Sequence, residues 1–128
     1  MNDNESLHDE RVSVQRYDLE ERTAKFAELV IDFVSEIRLS PITSPLVTQL
    51  IRSATSIGAN YCEADDAESK RDFRHKIGIC RKEARETKYW FQMIAKAVPA
   101  SKDQARRLWQ EANELHLIFS KIRRSCDK

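Results

Sequence analysis

From Leu19 to Cys126 the apolar residues of this chain return at alternating steps of three and four, and the recurrence breaks at only three places. Such steps keep one line of side chains on one face of an α-helix, so the chain is written as four amphipathic helices with short breaks. Leu19, Thr23, Phe26, Val30, Phe33 and Ile37 form the first seam, and Leu46, Leu50, Ala54, Ile57 and Tyr61 the second. Phe73, Ile77, Cys80, Ala84, Thr87, Phe91 and Ile94 form the third. Ala105, Leu108, Ala112, Leu115, Phe119, Ile122 and Cys126 form the fourth. Each helix has a single apolar line, which it must bury against the others. Two glycines and three prolines in 128 residues leave little material for the tight turns of an all-β fold. The spacing predicts one all-α domain, an antiparallel up-down-up-down four-helix bundle.

The breaks carry their own signals. Pro41 and Pro45 lack the N–H that would continue a helix, and Pro99 closes the third seam. Asp18 with Glu21, Ser44 before Pro45, Ser69 with Asp72, and Ser101 with Gln104 are the expected N-terminal caps. The helices are therefore expected at about 18–39, 45–64, 70–97 and 102–125, within a bundle of residues 17–128. Residues 1–16 are polar without a sustained period and are expected to form a flexible arm. No apolar run approaches the roughly 20 residues of a membrane span, and the polar start lacks a signal-peptide core. The expectation is a soluble cytoplasmic protein with no membrane partner. Cys62, Cys80 and Cys126 form no Cys-x-x-Cys pair and read as reduced packing thiols.

A net charge of +1 conceals a division. Residues 1–69 carry 6 basic and 14 acidic side chains, whereas residues 70–128 carry 16 and 7, giving −8 and +9. Within the basic half, Arg74, Arg81 and Lys88 repeat every seven residues with Arg85 beside them, a stripe along one side of the third helix. Such a stripe can bind the backbone of RNA or DNA, or an acidic protein partner. It can also be neutralised internally by the first helix, through Asp18, Glu20, Glu21, Glu28, Asp32 and Glu36.

A second line runs beside the apolar seams of helices two and three. Ser53, Ser56, Asn60 and Glu63 lie one residue off the second seam, and Glu83 and Glu86 adjoin the third. This polar seam, Ser56, Asn60, Glu63, Glu83 and Glu86, is expected to set how the two helices meet through mutual hydrogen bonds. Gly58 sits inside the second helix, where close approach of another helix would compensate its cost. Facing carboxylates also suggest a carboxylate-metal enzyme, but bundle sites of that kind need repeated Glu-x-x-His motifs. The one example here is Glu5 to His8, and neither His75 nor His116 belongs to one. With no phosphate loop, catalytic Ser-His-Asp order or Cys–His pair, the chain is read as a non-enzyme without metal or cofactor. Ile79, Trp90, Trp109 and Leu117 stand off the seams, so a lone bundle would expose them and a homo-oligomer would bury them.

Three segments carry a family resemblance: YDLEERTAKF at Tyr17 to Phe26, SATSIGANYCEADDA at Ser53 to Ala67, and KEARETKYW at Lys82 to Trp90. The chain resembles the four-helix-bundle proteins encoded in intervening sequences of bacterial 23S ribosomal RNA genes, from about Tyr17 to Cys126. The resemblance implies a compact antiparallel bundle assembling into a ring, a homopentamer, without enzymatic activity. The chain is more distantly similar to the accessory variability protein of diversity-generating retroelements, a barrel whose basic surface binds nucleic acid and a reverse transcriptase. The functional expectation is a non-enzymatic oligomeric module that binds nucleic acid through a basic face. A protein–protein scaffold or accessory subunit is the alternative.

Overall fold

The computed structural model describes residues 3–127, with side chains from Leu19 onward. Four helices make up the fold: α1 (Asp3–Ser35), α2 (Thr43–Asp65), α3 (Lys70–Ala97) and α4 (Lys102–Ser125). A single 3-10 turn, Pro99–Ser101, leads into α4, and no strand is present among the described residues. In sequence order each helix packs against the next, and α4 closes back on α1. α1 and α3 face each other across the core. There Phe26 and Phe33 set their ring edges against Phe91, with centroids 6.4 and 5.8 Å apart.

The four apolar seams converge on this core almost residue for residue. Phe26, Val30, Phe33, Leu50, Ile57, Ile77, Phe91, Ile94, Leu115 and Phe119 are all fully buried. Leu46, Phe73 and Ile122, at the ends of their seams, are half-buried and pack against the cluster. Thr23 and Thr87, polar members of apolar seams, turn their hydroxyls onto backbone carbonyls one turn earlier, so neither is stranded in the core.

α3 and α4 have the expected bounds; α1 and α2 do not. Helical backbone runs from Asp3 through Asp18, so Asp18 does not start α1, and the side chains of the expected arm and cap lie outside the described residues. α1 ends at Ser35 instead of Leu39, and single turns bonded from Glu36 to Phe33 and from Ile37 to Val34 carry the chain out of it. α2 begins at Thr43, ahead of the expected Ser44 cap. Ser40 and Thr43 exchange bonds there: the Thr43 N–H donates to Ser40 Oγ at 3.0 Å, and the Ser40 N–H to Thr43 Oγ1 at 2.9 Å. Thr43 Oγ1 also donates to the Arg38 carbonyl, tying the loop to the end of α1. Ser69 caps α3 as expected, accepting from the Asp72 N–H at 3.0 Å. Ser101 does not cap α4; its hydroxyl donates to the Val98 carbonyl and serves the preceding turn.

Gly58 lies against α1. A Cβ at this position would stand 3.1 Å from Thr23 Oγ1 and 3.3 Å from Thr23 Cβ, so the missing methyl lets the two helices close. Elsewhere along α2, Thr87 Oγ1 is 2.9 Å from Ser53 Oγ, a pair of fully buried hydroxyls joining α3 to α2. At the α1–α4 seam Arg22 holds Glu111 with two bonds of 2.8 Å and reaches Glu114 as well.

Candidate functional site

Charge is sorted by helix. The outer side of α1 presents Glu20, Glu28 and Asp32, with Glu36 just past its end, all exposed. The outer side of α3 presents Arg71, Arg81, Lys82, Arg85 and Lys96, also exposed. Because α1 and α3 lie on opposite sides of the core, carboxylates on the outside of one cannot reach cations on the outside of the other. Among the described residues no ion pair joins α1 to α3, and α1 uses Arg22 to bind the acids of α4 instead. Internal neutralisation of the stripe by the first helix therefore does not occur among these residues.

The four stripe residues have different surroundings. Arg81 and Arg85 are exposed and make no hydrogen bond or ion pair among the described residues. Arg74 is paired, 2.6 Å from Asp127, which Arg123 also contacts. Lys88 is half-buried between α3 and α4, where its ammonium donates to Asn113 Oδ1 at 2.9 Å and lies 3.3 Å from His116 Nδ1. It also stands 5.5 Å from the ring centre of Trp109, within cation–π range. Burial and the neighbouring Arg85 push the Lys88 ammonium below its ordinary range. Burial, then Lys88, Arg81 and Arg85, lower His116 in the same way, which favours the neutral ring.

The polar seam is organised by a residue outside it. Arg52 of α2 reaches both Glu83, at 3.2 Å, and Glu86. Burial raises the Glu83 carboxyl above its ordinary value and the Glu86 charge adds to this, while Arg52 opposes both. Glu63 pairs with Lys76 at 2.6 Å. Asn60 donates to the Ser56 carbonyl at 2.8 Å and Ser56 to the Arg52 carbonyl at 2.7 Å, both within α2. Mutual bonding of Asn60 with the glutamates is thus replaced by Arg52 and Lys76. Spacing signals this arrangement: Arg52 lies one turn before Ser56 on the same line, and a basic residue there is the natural partner for Glu83 and Glu86. No group of three or more His, Cys, Asp or Glu residues that could hold a metal occurs among the described residues.

The proposed interface residues divide. Leu117 is 58% exposed, but Ile79, Trp90 and Trp109 are half-buried within the chain. The Trp90 indole N–H is buried with no acceptor among the described residues, and the ring packs edge-on against Tyr89. Apolar exposure that sequence reasoning did not single out lies at Leu39 and Ile42, 64% and 69% exposed in the α1–α2 connection, and at Ile31 and Tyr89. No helix among the described residues is long and apolar enough to cross a membrane.

A four-helix core flanked by acidic α1 and basic α3 defines a small all-α protein. The chain belongs to the 23S rRNA-intervening sequence protein family, whose model matches residues 15–121. It is similar in structure to a protein of unknown function from the S23 ribosomal protein family of Bacteroides thetaiotaomicron. That likeness has a TM-score of 0.72 and 29% identity, and covers 82% of this chain and 97% of the other. No curated protein matches the chain.

Proposed function

We propose that this chain is a non-enzymatic, oligomeric four-helix module, folded antiparallel, that binds nucleic acid through the basic flank of α3. Short connections between helices that neighbour in sequence support the up-down-up-down arrangement. Family membership supports a homo-oligomer, a pentamer on the resemblance described above. One observation carries the binding reading: Arg81 and Arg85 are exposed and unpaired among the described residues, across the core from the acids of α1. Cations held free of carboxylates are available to phosphates, whose neutralisation releases counterions and makes affinity fall with salt.

Binding of an RNA hairpin and of duplex DNA, measured at several salt concentrations, tests this reading. Affinity should fall steeply as salt rises and weaken when Arg81 and Arg85 become glutamine. Absence of binding at low salt would overturn nucleic-acid recognition and leave the protein scaffold, with an acidic protein as the partner. Light scattering across a dilution series reads the assembly, and a single-chain mass at micromolar concentration would overturn the oligomer.

A further inference from the structure

Packing alone does not account for the cluster between α3 and α4. Asn113 and His116 both lie within hydrogen-bond reach of the Lys88 ammonium, and Arg85 and Arg81 stand one and two turns before Lys88 on the same side of α3. The charges that act on Lys88 and His116 are all positive, and no carboxylate is among them. Gathering cations without a counter-charge disfavours the free state, and an incoming anion relieves it. With His116 Nδ1 facing the Lys88 ammonium, that nitrogen is an acceptor and the ring proton sits on Nε2, a further donor.

Next to this cluster, also between α3 and α4, opens a cleft of about 360 Å³. Its apolar lining comes from Phe91, Ala95 and Ala105, Lys102 and Arg106 stand on its α4 side, and Trp109 forms part of its wall. Trp109 belongs to both features, because Lys88 lies over its ring. The cleft has the size of a small-molecule pocket and cannot admit a double helix. An aromatic wall with cations on both sides fits one unstacked base with a phosphate on each side.

We propose that the α3–α4 groove is a subsite for single-stranded nucleic acid. One backbone phosphate is held by Lys88, Arg81 and Arg85, the adjoining base enters the cleft beside Trp109, and the next phosphate meets Arg106 and Lys102. This inference rests on the nucleic-acid reading above and adds the strand form, the place and the aromatic contact. Binding to a flat basic face would favour the duplex, whose phosphates are more densely spaced. Binding in this groove requires an unpaired strand.

The test uses the full chain with labelled RNA and DNA single strands of about twelve nucleotides and the matching duplex. Single strands should bind on the order of tenfold tighter than the duplex, and Lys88→Gln and Trp109→Leu should each weaken them by about tenfold. Lys25→Gln, an equal charge change on α1, should leave affinity unaltered. In a Trp90→Phe chain, Trp109 is the remaining tryptophan, and single strands should quench its fluorescence where the duplex does not. Should Trp109→Leu fail to fold, Arg106→Gln and the quenching experiment decide instead. Equal affinity for duplex and single strand, or loss of binding in Arg81→Gln with Arg85→Gln but neither a Lys88→Gln effect nor quenching, would overturn the subsite and leave the basic-flank function standing. Absence of binding to any strand would overturn both.

Discussion

Gly58 of α2 and Thr23 of α1 meet so closely that a methyl group on the glycine would stand 3.1 Å from the threonine hydroxyl oxygen. Thr23 is fully buried and its hydroxyl is held at 2.7 Å on the Leu19 carbonyl, so it has little freedom to retreat. Gly58→Ala gains roughly 1 kcal/mol of helix propensity but overpacks this contact at a cost of about 1–3 kcal/mol. The expected result is a net loss of about 1 kcal/mol. In a Thr23→Ala background the hydroxyl contact is gone while the 3.3 Å approach to Cβ stays, so the same change should cost less than in the parent chain. A double-mutant cycle of urea melts measures the coupling, and additive effects would refute this account.

Arg22 and Glu111 fasten α1 to α4 with a two-pronged, partly buried ion pair. Glu111→Gln should cost about 1 kcal/mol after allowance for partial solvent screening, whereas Glu114→Gln, at a much more exposed partner, should cost less than about 0.5 kcal/mol. Hydrogen exchange should show the Glu111 loss as faster opening of α1 relative to α3.

Arg52 offsets two carboxylates, and its removal should make stability depend on pH. The folded state already raises the Glu83 carboxyl above its ordinary 4.5, chiefly by burial. A carboxyl raised in the folded state is penalised once pH exceeds both its unfolded and folded values, and the penalty vanishes as pH falls below them. Arg52→Gln widens the gap. It should cost about 1–2 kcal/mol at pH 7 and less near pH 5. Glu83→Gln in the same background should flatten that dependence, as urea melts at the two pH values would show.

Ser53 and Asn60 share a line on α2 but not an environment. Ser53 is fully buried against Thr87, so Ser53→Leu should overpack the α2–α3 contact and cost about 1–3 kcal/mol. Among the described residues Asn60 bonds only within its own helix, so Asn60→Leu should shift stability by less than about 1 kcal/mol and leave the transition cooperative. Thermal melts of the two variants check the contrast.

The core was legible because burial and helical period are the same signal: a residue on a repeating line of three and four has nowhere else to go. Every seam residue from Leu19 to Ile37, Thr23 included, is buried. The caps were less legible. Ser40 and Thr43 satisfy each other across a loop whose path depends on Arg38, and no local pattern distinguishes that exchange from a Ser44 cap. The stripe was visible as spacing, but spacing does not report partners. Lys88 and Arg85 are three residues apart on one helix, yet one is locked against Asn113 and the other is open to solvent. That difference comes from what α4 places opposite each of them. Arg52 stands just ahead of the line of serine, asparagine and glutamate, and its role shows only once α3 brings the half-buried Glu83 and Glu86 opposite it.

The separation of acidic α1 from basic α3 has an electrical consequence that a nearly neutral total conceals. Opposite charges fixed on opposite sides of a rigid core form a permanent dipole, and a dipole near any charged surface experiences torque before it experiences contact. The molecule is turned as it approaches, so that productive orientations are enriched among its first encounters. Added salt shortens the reach of that torque to about 10 Å at 0.1 M, and the alignment then fades while every short-range contact remains intact.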